Sequence, residues 1–144
     1  MEPHIRVLIV DDRPPSRNGL RALLASWSAV ETLYEAVNGL EAIQLVEDLQ
    51  PDVVLMDVRM PIMDGLEATR LLKSKWPAIK VIALSISARY RVDALLAGAD
   101  DFLLKGCPTE ELLDAVSSHE ASRRGLKGRA NSILFRPLCG SLIP

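Results

Sequence analysis

Apolar residues fall along the chain in two alternating rhythms. Short runs at residues 5–10 (IRVLIV), 32–36 (TLYEA), 53–56 (VVLM), 80–84 (KVIAL) and 101–104 (DFLL) have the length and composition of buried strands. Between them the apolar positions shift to helical spacing: Leu20, Leu23, Leu24 and Trp27 within 16–27; Leu40, Ile43, Leu45 and Val46 up to about Leu49; Leu66, Thr69, Leu71 and Leu72 after Gly65; then 89–97; then Leu112, Leu113 and Val116. Turn signals separate the two kinds of segment. Pro14 and Pro15 suit a loop and a first helical turn, Asn38-Gly39 a helix start, Gln50-Pro51-Asp52 and Pro77 stops, and Gly98 a C-terminal cap. Five strands alternating with five helices predict an α/β, doubly wound parallel sheet with helices on both faces.

The regularity holds to about Ser118, so residues 1–118 are expected to form one domain. Residues 119–144 contain five Arg/Lys against the single acid Glu120, and an apolar patch at Ile133-Leu134-Phe135, with no amphipathic period. They read as a C-terminal tail or linker remnant, or alternatively as a segment that docks on another chain.

Composition changes this picture little. A net charge of −2 gives no bias toward nucleic acid or membrane. No apolar run approaches a membrane span, and the start Met1-Glu2-Pro3-His4 lacks a signal-peptide layout. Cys107 and Cys139 make neither a disulfide framework nor a metal spacing. A cytoplasmic protein with reduced thiols is the expectation.

The chemistry lies at the strand ends. In an open parallel sheet, ligands gather beyond the carboxyl ends of the strands. The first strand ends in Asp11-Asp12, the third in Asp57, the fourth in Ser85 and the fifth in Lys105. Each alone has an ordinary reading as a turn or helix-start residue; their joint arrival at one edge does not. Three carboxylates together repel one another, and a hard divalent cation resolves this. Asp12 and Asp57 are read as direct Mg2+ ligands, Asp11 as a direct or water-bridged one, and the backbone carbonyl of Arg59 as a fourth donor. Asp57 is then a candidate nucleophile for phosphoryl transfer, with Lys105 and Ser85 to hold phosphoryl oxygens. Asp64 reads as a helix-start charge.

The motifs LIVDD at 8–12, PDVVLMDVRMPIMDG at 51–65, VIALS at 81–85 and GADDFLLKG at 98–106 resemble the receiver domain of bacterial two-component response regulators. The stretches DDRPPSRNGLRALL and LLKGCPTEEL are similar to the NarL/FixJ subfamily. The resemblance implies the flavodoxin-like (βα)5 fold, with Asp57 as phosphoacceptor, Asp11 and Asp12 as the acidic metal pocket, Lys105 as the phosphate-binding lysine and Ser85 as the switch hydroxyl. It also implies that Phe102 is an aromatic switch whose ring moves inward on phosphorylation; periodicity alone makes Phe102 a core aromatic. The implied partners are a sensor histidine kinase and a second copy, joined through the fourth helix, fifth strand and fifth helix. That subfamily usually carries a C-terminal helix-turn-helix domain, and no such pair of helices is legible after Ser118, so no direct nucleic-acid binding is expected of this chain.

Three other readings fit less well. An aspartyl-phosphate phosphatase commonly has a second acid two residues after its nucleophile, where this chain has Arg59. A phosphate-independent interaction module leaves the complete set of pocket residues unexplained. A nucleotide-binding flavodoxin-like protein calls for a glycine-rich first loop, where this chain has DDRPPSRNG. A switch, not a multiple-turnover enzyme, is the expectation.

Overall fold

The computed structural model describes residues 4–125, with side chains through Ser118. Five strands, β1 (Ile5–Val10), β2 (Val30–Ala36), β3 (Val53–Asp57), β4 (Lys80–Ser85) and β5 (Asp101–Leu104), alternate with five helices, α1 (Pro14–Ala25), α2 (Gly39–Leu49), α3 (Gly65–Lys75), α4 (Arg91–Leu96) and α5 (Thr109–Gly125). All strand pairs are parallel and the sheet order is β2-β1-β3-β4-β5. The chain steps one way from β1 to β2 and the other way from β3 to β5. The crevice where the direction reverses opens at the carboxyl ends of β1 and β3.

The strands alternate between two cores, as the period of two dictates. Leu8, Val10, Val54, Met56, Val81, Ala83 and Phe102 face the core shared with α2, α3 and α4. Val7, Ile9, Val53, Leu55, Ile82, Leu84 and Leu103 face the one shared with α1 and α5. Every residue of β3 is buried, so the position of Asp57 is fixed by packing on both faces.

Several boundaries differ from the sequence expectation. Helix α1 starts at Pro14, because prolines at its first two positions forfeit only amide protons that a helix start cannot use. The expected helix over 89–97 divides into a 3-10 turn, Ala88–Tyr90, and the six-residue α4; Ser87 caps the turn by accepting from the Arg89 amide. Helix α5 runs through Gly125, past the boundary expected at Ser118. The remainder of the proposed tail, 126–144, lies outside the described residues.

The exit loop of β3 holds a strained residue. Ile62 has φ +71°, and the Met63 amide donates to the Pro61 carbonyl at 2.8 Å, closing a three-residue turn. A β-branched residue in this region costs about 1–2 kcal/mol, and at 77% exposure Ile62 recovers little of it by burial. Ile62→Gly is expected to raise stability by about 1 kcal/mol, the relieved strain exceeding the added chain entropy; urea unfolding measures it.

Candidate functional site

The carboxyl ends of the strands deliver the expected residues to one cleft of about 330 Å³, lined by Asp12, Asp57, Ser85 and Lys105 and rimmed by Arg13, Arg59, Ile86, Ser87, Arg89 and Tyr90. Asp11 is buried and Asp12 half-buried. One carboxylate oxygen from each of Asp11, Asp12 and Asp57 lies within 4.8 Å of the others. The Lys105 ammonium sits between two of them, 3.0 Å from Asp11 Oδ2 and 3.4 Å from Asp57 Oδ1. Its backbone amide donates to the Ser85 carbonyl at 2.8 Å, extending the β4–β5 ladder and fixing the root of the side chain.

Two residues that sequence reasoning missed hold this arrangement. Ser16 Oγ donates to Asp11 Oδ2 at 2.5 Å and accepts from Lys105 at 3.1 Å, and the Arg13 amide donates to Asp11 Oδ1 at 2.9 Å. Ser16 lies on the first turn of α1, and placing that turn over the cleft requires the helix to begin at Pro14. Nothing in the spacing after Asp12 signals it. Asp64 is the N-cap of α3, its Oδ1 accepting from the Glu67 amide at 2.9 Å, as expected of a helix-start charge.

The two buried acids of the cleft, Asp11 and Asp57, are shifted in opposite directions. Burial pushes the Asp57 carboxyl up to about 6; Lys105 opposes this, and the neighbouring Asp11 and Asp12 carboxylates reinforce it. Burial acts on Asp11 in the same direction, but hydrogen bonds from Ser16, the Arg13 amide and Lys105 outweigh it and hold Asp11 below its ordinary value. Folding therefore favours the protonated form of Asp57. That contribution is full below the unfolded value of 3.8 and is lost as pH rises through about 6. Metal-free protein is expected to lose stability relative to Asp57→Asn between pH 4 and pH 7, by at most about 3 kcal/mol. Denaturation curves of both proteins across that range, in the presence of a chelator, test it.

Ser85 is buried, and its Oγ accepts from the Ser87 amide at 3.1 Å. That bond occupies a lone pair and leaves the hydroxyl proton to donate elsewhere. Phe102 is only 1% exposed, so its ring already lies inward and an inward swing from an exposed position is not available to this conformation. Arg59 is exposed, and its guanidinium turns to the Tyr90 hydroxyl at 2.7 Å. Among the described residues no helix is long and apolar enough to cross a membrane.

The cluster of three carboxylates, Asp11, Asp12 and Asp57, is an oxygen-only donor set that suits a hard divalent cation. The family model of the response regulator receiver domain matches residues 7–117. The transcriptional regulatory protein DegU of Brevibacillus brevis is 38% identical over 117 residues, covering 80% of this chain and 50% of that protein. The chain thus spans about half the length of the curated relatives it matches. The signal receiver domain of the response regulator NarL from Mycobacterium tuberculosis superposes with a TM-score of 0.76 at 32% identity, covering 83% of this chain and 99% of that one. The receiver domain of sensor histidine kinase PA1611 from Pseudomonas aeruginosa PAO1, solved with a magnesium ion coordinated in its active-site cleft, gives a TM-score of 0.76 at 28% identity, covering 83% and 99%. With the sheet order, the acidic cleft and these matches together, the chain belongs to the response regulator receiver domain family of two-component signalling, and its relatives are of the NarL/FixJ type.

Proposed function

We propose that Asp57 is the phosphoacceptor of this receiver, taking its phosphoryl group from a phosphohistidine on a sensor histidine kinase. The observation that carries this reading is the Lys105 ammonium suspended between Asp11 and Asp57, in a cleft that Ser85 also lines. An Asp57 carboxylate oxygen forms the new bond to phosphorus while the phosphorus–nitrogen bond to the imidazole breaks. The electron pair of that bond leaves with the imidazole, which takes a proton from water. No general base is needed, because Asp57 is largely ionised at neutral pH. Lys105 then exchanges part of its contact with Asp11 and Ser16 for a phosphoryl oxygen, and the Ser85 hydroxyl donates to another.

The three carboxylates fit Mg2+: Asp11, Asp12 and Asp57, with the backbone carbonyl of Arg59, would hold it, and the bound ion would neutralise charge on the phosphoryl oxygens. Mg2+ is expected to close the stability gap between the wild type and Asp57→Asn at neutral pH, since it takes the place of the Asp57 proton.

The cycle ends when water attacks phosphorus and the phosphorus–oxygen bond to Asp57 breaks. Inorganic phosphate, a proton and the free carboxylate result, so the chain acts as a cytoplasmic, stoichiometric switch. Its responsive surface is α4, β5 and α5, where Val92, Leu95 and Leu96 on α4 are exposed at 64%, 41% and 79%. Burying such residues against a second copy would stabilise a phosphorylated homodimer. In a longer protein of the DegU kind, the output would be control of transcription. The test is labelling with acetyl phosphate and Mg2+, followed by measurement of the molecular mass of both forms in solution. One phosphoryl group per chain, with a larger species after labelling, supports the reading; absence of labelling overturns it.

A further inference from the structure

One contact beside the cleft, between Arg59 and Tyr90, has no part in the phosphoryl transfer itself. Arg59 leaves the exit loop of β3 two residues after Asp57, and Tyr90 closes the 3-10 turn five residues after Ser85. Both line the cleft. The Arg59 guanidinium donates to Tyr90 Oη at 2.7 Å and lies 5.9 Å from the ring centroid. The Arg89 guanidinium lies 5.1 Å from the same centroid. The loop carrying Asp57 is thereby tied to the loop carrying Ser85 through one cation–phenol hydrogen bond.

We propose that Arg59 is a phosphoryl-binding residue held in reserve by Tyr90: on phosphorylation its guanidinium passes from the phenol to the phosphoryl oxygens, and Tyr90 is released. This rests on Asp57 being the phosphoacceptor. The exchange follows from the strengths of the two partners. The phenol is a neutral, single acceptor, contacted by an exposed guanidinium in competition with water. A phosphoryl group brings added negative charge and three acceptor oxygens. A guanidinium fork meets two of them at once, and hydrogen bonds between two ionised groups are roughly twice as strong as neutral ones. Lys105, whose ammonium remains shared with Asp11 and Ser16, and the Ser85 hydroxyl each engage one phosphoryl oxygen, and each oxygen carries more than one lone pair, so acceptor sites remain for a guanidinium.

The release has a direction. Tyr90 is partly buried and packs against the core that contains Phe102 and Ala94 of α4. It also immediately precedes α4, whose Val92, Leu95 and Leu96 are exposed. Freeing its hydroxyl loosens the turn that sets the start of α4, so the charge state of Asp57 reaches that surface without any swing of Phe102. Arg89, still over the ring, keeps Tyr90 near the cleft and makes the exchange reversible.

The chain has two tyrosines, and Tyr34 accepts from Arg6 on a contact separate from the cleft. Protein labelled with 3-fluorotyrosine therefore gives a reporter and an internal reference in fluorine NMR. Acetyl phosphate with Mg2+ is expected to shift the Tyr90 resonance of the wild type and leave that of Tyr34 in place. In Arg59→Met, the Tyr90 resonance is expected to start displaced and to move no further on labelling. Thermal unfolding confirms that this exposed substitution leaves the fold intact. Labelling of the wild type with no Tyr90 shift, or an equal shift in Arg59→Met, overturns the hand-off and leaves Asp57 as phosphoacceptor. Failure of the wild type to label, read by mass, overturns both.

Discussion

Asp57→Asn is expected to reduce labelling by acetyl phosphate and Mg2+ to background while the protein stays folded. The amide keeps the shape of the side chain within fully buried β3, so packing is not disturbed. What changes is chemistry. The amide has no anionic oxygen to attack phosphorus and is a weaker ligand for a hard cation. The loss is therefore not one of stability. In metal-free protein above pH 6 the variant is expected to be the more stable of the two, because it removes a carboxylate that burial disfavours and that Lys105 only partly offsets. Loss of labelling with a gain in stability separates a functional charge from a structural one, and a mass spectrum with a melting curve on each protein reads both.

Gly65→Ala is expected to cost about 3 kcal/mol and to slow labelling by roughly 100-fold. A Cβ at Gly65 would stand 2.0 Å from the Asp57 carbonyl oxygen and 2.9 Å from its carbonyl carbon. Both are backbone atoms of a strand paired to β1 and β4, so neither can yield cheaply. The Gly65 amide also donates to the Val58 carbonyl at 2.8 Å, pinning the start of α3 against the end of β3. Relief comes only by withdrawing α3 or displacing Asp57, and the second moves the nucleophile itself. Gly19→Ala is the matched control. Its Cβ meets nothing within 4 Å, and on an exposed helix position it is expected to stabilise by about 0.5–1 kcal/mol.

The fold was legible because a parallel sheet covered on both faces must be written as apolar runs, and β1, β3 and β4 leave little else to read. The site was legible for a related reason. Asp57 or Lys105 at the end of such a run is a charge where packing wants none, and only a shared cleft accounts for several at once. What stayed hidden depends on tertiary approach. Ser16 is one polar residue among others on α1, and its bonds to Asp11 and Lys105 exist only because the helix begins over the end of β1. Tyr90 gave no sign of facing Arg59, which lies thirty-one positions away. The extent of α5 was concealed by the lack of an apolar period after Ser118. Periodicity made Phe102 a core aromatic, and β5 does turn it into the core beside Ala83; the inward movement came only from the family resemblance.

The most direct test of the central claim is to locate the phosphoryl group. Labelled protein treated with borohydride reduces an aspartyl phosphate to homoserine, and peptide mass spectrometry then identifies the altered position. The account predicts homoserine at residue 57 alone, dependent on Mg2+ and absent from Asp57→Asn. Modification at Asp11, Asp12 or any other residue of the wild type, or at none, would contradict it.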